Sequence, residues 1–220
     1  HHFTDPLWFT AKGGFEKEEN LQYWLRYANR MFGEYQSEVV YWSTFNEFNL
    51  YPLSGYLEGG FPPGKKDFLL SCEVTRNMLL GHIRTYESFK KLSFSKRHQV
   101  GAIIAVLEAR PFNRWFIMDW LAAYYEERFW MGAMLEFFQT GRYEVGLPFQ
   151  KPYVFTDTDG IRAMDFFGIN YYTRTAAIFN PFSTPMFSRL QMSGFPKSDM
   201  GWAIYPEGLY YAVKRISHIG

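Results

Sequence analysis

The stretch VGAIIAVLEARP, residues 100–111, most constrains what this chain can fold into. It is apolar up to Leu107 and ends at Pro111, which is typical of a strand buried on both faces. Two other segments share this character, VVYWSTF at residues 39–45 and MDFFGINYYTR at residues 164–174. Strands whose residues do not alternate between apolar and polar are typical of a parallel sheet that helices cover on both faces.

Helical patterns alternate with these strands. Apolar residues that recur at helical spacing predict helices over residues 15–35, 67–92 and 113–138, and a further helix that starts near Pro206. Asp67 is expected to cap the second helix, and residues 175–204 are expected to form a long loop. Helices that alternate with buried strands predict an α/β fold, with residues 1–220 forming one domain or part of one and no internal linker.

Charge and cysteine content exclude several classes of partner. The chain has 23 basic and 22 acidic side chains and no basic stripe, so we expect no nucleic acid partner. It has no apolar run approaching ~20 residues, so we expect no membrane span. Cys72 is the only cysteine, which excludes an internal disulfide and is compatible with a reducing compartment. A cytoplasmic location is therefore expected.

Aromatic side chains make up 21% of the residues, and such rings can fill a core or stack on sugars. Trp115, Trp120 and Trp130 fall in a helical pattern and are expected to pack, whereas for Trp202 both uses stay open. The histidines outside the N-terminal pair have no metal-ligand spacing, so no metal site is expected; they are His82, His98 and His218.

Polar side chains gather where each predicted strand ends. The first strand ends in Asn46 and Glu47, the second in Glu108, and the third in the run from Asn170 to Arg174. The carboxyl ends of parallel strands meet at one edge of a sheet or one face of a barrel, where α/β enzymes carry their active sites. The sequence therefore predicts an active site that these residues share.

Several motifs spaced along the whole chain resemble one enzyme family. They are HHFTDPLWF, WSTFNE, GYLEGGFPPGKK, DFFGINYYTR and DMGWAIYPEGL, and they are similar to motifs of retaining β-glycosidases of glycoside hydrolase family 1. The resemblance implies a (β/α)8 TIM barrel, here incomplete, running from about the end of strand 3 to helix 6. It also implies hydrolysis of β-glucosides or β-galactosides through a covalent glycosyl-enzyme, without a cofactor.

The resemblance implies roles for residues after the first predicted strand and in the N-terminal segment. Glu47 matches the general acid/base, and Asn46 matches the amide that hydrogen-bonds the sugar 2-hydroxyl. His2 matches the imidazole that contacts the sugar in the cleaved subsite, and Phe3 the aromatic residue beside it. An apolar surrounding would favour the uncharged form of Glu47, as an acid catalyst requires.

Three residues of the other two strands complete the expected site. Tyr172 matches the phenol that orients the nucleophilic carboxylate, and Asn170 lies on the same strand end. Glu108 departs from the family, which more often has an uncharged residue there. It could replace the nucleophile, shape sugar specificity or keep Glu47 protonated by like-charge proximity.

The catalytic pair that the resemblance implies is only half present. The family's nucleophile is a Glu in a Glu-Asn-Gly motif, which does not occur in these 220 residues, so we expect it outside this chain. Phe48 is a second departure, because the family typically has Pro after the acid/base. Two alternatives stay open: an inactive barrel that binds sugars or partners, and a half-barrel that needs a second chain. Homo-oligomers of the complete protein are also left open.

Overall fold

The structure is a computed structural model that describes residues 1–93, 97–161, 163–183 and 186–217. In this part of the chain, a four-stranded sheet has the order β1-β2-β5-β6, and β3 and β4 form a separate hairpin. The strands are β1 (Tyr41–Ser43), β2 (Gln99–Pro111), β3 (Arg142–Val145), β4 (Tyr153–Thr156), β5 (Phe166–Phe179) and β6 (Phe187–Gln191).

Helices separate the three parallel strands β1, β2 and β5, as the sequence predicts. They are α1 (Leu7–Ala11), α2 (Leu21–Tyr35), α3 (Leu50–Pro52), α4 (Phe68–Leu92), α5 (Ile117–Glu127), α6 (Ala133–Thr140) and α7 (Glu207–Ile216). Asp67 caps α4 as expected, because its side chain accepts a hydrogen bond from the Leu70 amide. Short 3-10 turns precede α2, and π-helical turns follow α3 and α5 at Leu53–Leu57 and Arg128–Gly132.

The sheet is mixed rather than wholly parallel. β1 pairs with β2 and β2 with β5 in parallel, as predicted, but β6 runs antiparallel to β5. The prediction of a loop over residues 175–204 was therefore wrong in its first part. The turn between the strands contains Asn180, whose side-chain oxygen accepts a hydrogen bond from the Phe182 amide. Such Asx turns let the chain reverse, and the buried Phe187 then holds β6 against α5.

The segment predicted as one helix over residues 113–138 is helical from Ile117 to Thr140 and includes the π-helical turn. Gly141 ends it in the left-handed region with a φ of 73°. A Cβ at this position would lie 2.7 Å from the Asp157 carbonyl oxygen, so only glycine fits the start of the β3–β4 hairpin. The sequence patterns did not predict this hairpin.

The hydrophobic core lies between the sheet and helices α2, α4 and α6, and it fixes the segment that follows β1. Phe45 and Phe48, on either side of Asn46 and Glu47, are both fully buried. Cys72 is also buried, as expected, and burial raises the pKa of its thiol to about 12. No helix among the described residues combines the length and apolarity needed to cross a bilayer.

Candidate active site

The segment after β1 places Glu47 by looping two residues out of the sheet. The Ile103 amide of β2 donates to the Phe45 carbonyl (3.3 Å), and the Phe48 amide donates back to the Ile103 carbonyl (2.9 Å). Asn46 and Glu47 lie between these two hydrogen bonds. Glu47 has a φ of 47°, which costs a non-glycine residue about 1–3 kcal/mol and persists only where the surroundings enforce it.

Glu47 is only 3% exposed, and β5 provides its hydrogen bonds. Asn170 Nδ2 donates to Glu47 Oε1 over 3.0 Å, and the Tyr172 hydroxyl donates to the same oxygen. Asn170 Nδ2 also lies 3.2 Å from Asn46 Oδ1, so one amide contacts both residues of the looped pair. The predicted meeting of Asn46, Glu47, Asn170 and Tyr172 is present, and we call this set the carboxyl cluster.

Tyr172 reaches Glu47 because of an irregularity in the β2–β5 pairing. Val106 pairs with Tyr171 and Leu107 with Thr173, so Tyr172 is an extra residue in β5. A bulge of this kind re-aims a side chain and is frequent beside active sites. Burial, with the hydrogen bond to Glu47, raises the pKa of Tyr172 to about 12, so its phenol stays a donor near neutral pH.

The N-terminal segment that carries His2 and Phe3 is hydrogen-bonded to the looped pair through its first residue. The Asn46 amide donates to the His1 carbonyl over 2.9 Å, which brings the N-terminal segment against the looped pair. The His2 ring packs on Phe3 with a centroid distance of 4.6 Å, and His2 is exposed. The residue that precedes His2 thus contacts the looped pair, and the His2 imidazole is accessible.

Glu108 forms ion pairs with two arginines. Its carboxylate lies 2.5 Å from Arg110 and 3.4 Å from Arg174, and the Arg174 guanidinium stacks over Tyr205 at 4.5 Å. A carboxylate neutralised by two cations is a weak nucleophile. These ion pairs argue against Glu108 as a replacement for the missing carboxylate.

Trp202 forms one side of the cluster, since its ring meets Tyr172 edge to face at 5.3 Å. The tryptophans predicted to pack lie elsewhere: Trp130 is buried, whereas Trp115 and Trp120 are exposed. Trp202 is therefore the tryptophan closest in contact to the candidate catalytic residues among those that the sequence singled out.

A buried histidine supports the strand that leads to Glu47. His82 is fully buried, and burial lowers its pKa to about 4, so the ring is neutral. Nε2 lies 2.7 Å from the Ala163 carbonyl and therefore donates, which leaves Nδ1 to accept from the Thr44 hydroxyl, also at 2.7 Å. His218 lies outside the described residues. Within the described residues no group of three or more His, Cys, Asp or Glu side chains could hold a metal ion.

Two features of the site were not predicted from the sequence, Asn49 and the bulge at Tyr172. Asn49 is buried and hydrogen-bonds the backbone of Ala105. The signal for it was an amide between the apolar residues Phe48 and Leu50, where a buried polar side chain must find partners. No local signal marks the bulge, because strand register depends on the partner strand.

The chain is similar to known proteins along almost its whole length. The sequence model of glycosyl hydrolase family 1 matches residues 1–219. A 6-phospho-beta-galactosidase of Leptotrichia buccalis is 29% identical, over 98% of this chain and 53% of its own length. Among solved structures, a beta-glycosidase from Pyrococcus horikoshii is 30% identical with a TM-score of 0.86, over 100% of this chain and 49% of that one.

A beta-glucosidase from Exiguobacterium marinum has the same fold, with a TM-score of 0.85 at 24% identity over 99% of this chain and 51% of that one. The chain thus spans about half the length of the relatives that it matches.

Proposed function

The chain belongs to glycosyl hydrolase family 1, and from this premise we propose that it is part of a retaining β-glycosidase whose general acid/base is Glu47. One observation carries the proposal: a buried carboxyl group on a strained backbone, held by two neutral donors from β5. Strained backbone clusters at active sites, and a buried carboxyl group without a cationic partner in its hydrogen bonds is suited to carry a proton.

In the proposed reaction, a nucleophilic carboxylate attacks the anomeric carbon while Glu47 gives its proton to the leaving oxygen. The bond from the anomeric carbon to the leaving oxygen breaks, and a covalent glycosyl-enzyme forms. Glu47, now ionised, then takes a proton from water, whose oxygen attacks the anomeric carbon and releases the nucleophile. Both hydrogen bonds to Glu47 end on Oε1, so Oε2 is the oxygen proposed to carry the proton.

We propose that the nucleophile lies outside these 220 residues, in a Glu-Asn-Gly motif of a longer protein. Two findings support this: the motif is absent from the sequence, and the relatives are about twice as long. Residues 1–220 would then form one partial (β/α)8 barrel domain, inactive alone. The carboxyl groups of retaining enzymes lie about 5–5.5 Å apart. A phenol bonded to Glu47 would thus be within reach of the nucleophile, which supports the orienting role proposed for Tyr172.

The proposed substrates are β-linked glucosides and galactosides. Asn46 would bind the sugar 2-hydroxyl, with His2 and Phe3 beside the same sugar, and Asn170 would hold Glu47 and Asn46 in place. Solved relatives are a beta-glycosidase and a beta-glucosidase, and a sequence relative is a 6-phospho-beta-galactosidase. A galactoside 6-phosphate is therefore a further candidate substrate. A cytoplasmic location, compatible with the buried free Cys72, is part of the proposal.

The complete protein that contains these residues should hydrolyse a nitrophenyl β-glucoside or β-galactoside. Proton NMR should show the β-anomer of the sugar as the first product, because two inversions retain configuration. Glu47→Gln should lower kcat/KM for a methyl β-glucoside by about 10²–10⁴-fold. A galactoside 6-phosphate measured in parallel identifies the preferred sugar.

Two results would contradict this function. Initial release of the α-anomer would exclude retention, and a Glu47→Gln protein of unchanged activity would remove Glu47 from the reaction. Sugar binding without hydrolysis by the complete protein would favour an inactive barrel. Activity that appears only when a separate chain is added would favour the half-barrel alternative.

A further inference from the structure

Asn49 continues the β1–β2 pairing with its side chain after the backbone has left the sheet. Its Nδ2 donates to the Ala105 carbonyl over 2.8 Å, and the Ala105 amide donates to its Oδ1 over 2.9 Å. A carboxamide carries the same donor and acceptor as a peptide group, so the side chain takes the place of a strand residue. Nδ2 also donates to the Trp130 carbonyl in the π-helical turn after α5.

These hydrogen bonds fix the far end of the segment that carries Glu47. The near end is held at Ile103, whose amide donates a hydrogen bond to the Phe45 carbonyl and whose carbonyl accepts one from the Phe48 amide. Asn49 then bonds the next residue of β2 that faces this edge, Ala105. The looped pair is thereby held between two attachments to one strand.

We propose that Asn49 is a positioning residue for the proposed acid/base, keeping the Glu47 carboxyl group aligned with the leaving oxygen; this rests on the proposed function. A positive φ is disfavoured for glutamate and relaxes when its restraints are removed, so the hydrogen bonds of Asn49 add to the buried Phe45 and Phe48 in holding Glu47. Asn49 is 2% exposed and bonds only backbone groups in the hydrogen bonds above, so it acts through Glu47 rather than on substrate.

The departure at Phe48 strengthens this attachment. Family members typically carry Pro after the acid/base, and Pro has no amide hydrogen to donate. Here the Phe48 amide bonds Ile103 and its ring is fully buried against Phe45 and His82. In this chain, the backbone after Glu47 is thus restrained by the Phe48 hydrogen bond and by Asn49, whereas a proline would restrain it by its fixed φ angle.

The test separates protonation from the rest of catalysis by the choice of leaving group. A methoxide needs a proton as it departs, whereas a dinitrophenolate leaves without one, so only the former depends on an aligned acid. In the complete protein, Asn49→Ala should lower kcat/KM for methyl β-glucoside by about 10²-fold and for dinitrophenyl β-glucoside by less than about fivefold. Asn49→Ser can replace only one of the hydrogen bonds and should give a smaller selective loss.

Asn20→Ala is the matched control. Asn20 is also a buried amide that donates twice to backbone carbonyls, those of Lys12 (3.1 Å) and Gly14 (2.9 Å). It should destabilise the protein to a similar degree, measured by thermal unfolding, and change both substrates equally. An Asn49→Ala protein that loses activity equally on both substrates, or keeps it on both, overturns the inference.

Glu47→Gln, measured alongside, distinguishes a failure of the positioning role of Asn49 from a failure of the proposed function of Glu47. If Glu47→Gln shows the selective loss and the Asn49 variants do not, the positioning role fails and the proposed function stands. If Glu47→Gln is itself unselective between the two leaving groups, the proposed function fails.

Discussion

Glu47 and Glu126 are both buried carboxyl groups, 3% and 0% exposed, yet their surroundings differ in kind. Glu47 accepts hydrogen bonds from the neutral groups of Asn170 and Tyr172. Glu126, on α5, lies 3.2 Å from Arg189 on β6 and accepts from the Thr175 hydroxyl at 3.2 Å. Burial raises the pKa of Glu126 to about 7, against the opposing charge of Arg189.

The difference lies in what happens when each group changes its charge. When Glu47 is protonated on Oε2, neither donor loses an opposite charge, and Oε1 can still accept the hydrogen bonds from Asn170 and Tyr172. Protonation of Glu126 removes one of the two carboxylates beside Arg189, which also contacts Glu58 and stacks over Trp130 at 4.8 Å. Burial of a glutamate is therefore not enough to identify a catalyst; neutral partners suit a proton carrier, and a cationic partner suits a structural link.

Activity should separate the two carboxyl groups by the largest margin. Glu47→Gln should reduce kcat/KM for methyl β-glucoside in the complete protein by about 10²–10⁴-fold, because no acid protonates the leaving oxygen. Glu126→Gln should stay within about threefold of the parent, since its side chain contacts α5, β5 and β6 rather than the carboxyl cluster. Initial rates near pH 6 measure both. An equal loss in a folded Glu126→Gln protein would make the comparison invalid.

The sequence allowed one of these environments to be predicted. Asn46 and Glu47 follow a buried strand, Asn170 and Tyr172 belong to another, and parallel strands bring such ends together. Their contact was therefore expected. The direction of Tyr172 was not, because its bulge arises from the pairing of β5 with Val106 and Leu107. Pairing across strands is a property of the folded sheet and leaves no local pattern.

The second environment could be found only in part. Glu126 follows the buried Ala122 and Ala123 by one helical turn, so the i+3 and i+4 spacing predicts that it lies on the same buried side of α5. Its neighbour Glu127 instead forms an exposed ion pair with Arg215. The partner Arg189 was not predictable, because it lies on β6, in a segment whose Pro and Ser content favoured a loop.

A smaller effect is expected on stability: replacing Glu126 should change the pH dependence of the unfolding free energy, whereas replacing an exposed glutamate should not. A folded-state pKa of about 7, above the usual 4.5, means that the folded protein binds the proton more tightly. The stabilisation is complete below the unfolded pKa and is lost as pH rises through about 7. The unfolding free energy of Glu126→Gln, measured relative to that of the parent, should therefore increase by about 2–3 kcal/mol from about pH 5 to about pH 8.

Denaturant unfolding of both proteins at the two pH values measures this gain. Glu34→Gln is the matched control, because Glu34 pairs with Arg30 on the exposed face of α2. Its effect should stay below about 0.5 kcal/mol and be nearly independent of pH in this range. His82 changes stability in the opposite sense, losing it as pH falls from 6.5 towards about 4, but it is common to all three proteins and cancels. A pH-independent difference for Glu126→Gln would mean that the carboxyl group is ionised throughout.

The smallest expected effect tests whether neutral donors suffice to hold Glu47. Tyr172→Phe removes one hydrogen bond to Oε1 and keeps the ring that packs against Trp202. The Asn170 bond remains, so kcat/KM for methyl β-glucoside should fall about tenfold, or ~1.4 kcal/mol, and thermal stability should change little. Tyr171→Phe is the control, because the Tyr171 hydroxyl donates to the Tyr205 carbonyl instead. If both variants lose the same activity, the hydroxyl of Tyr172 acts through the packing of β5 and not through Glu47.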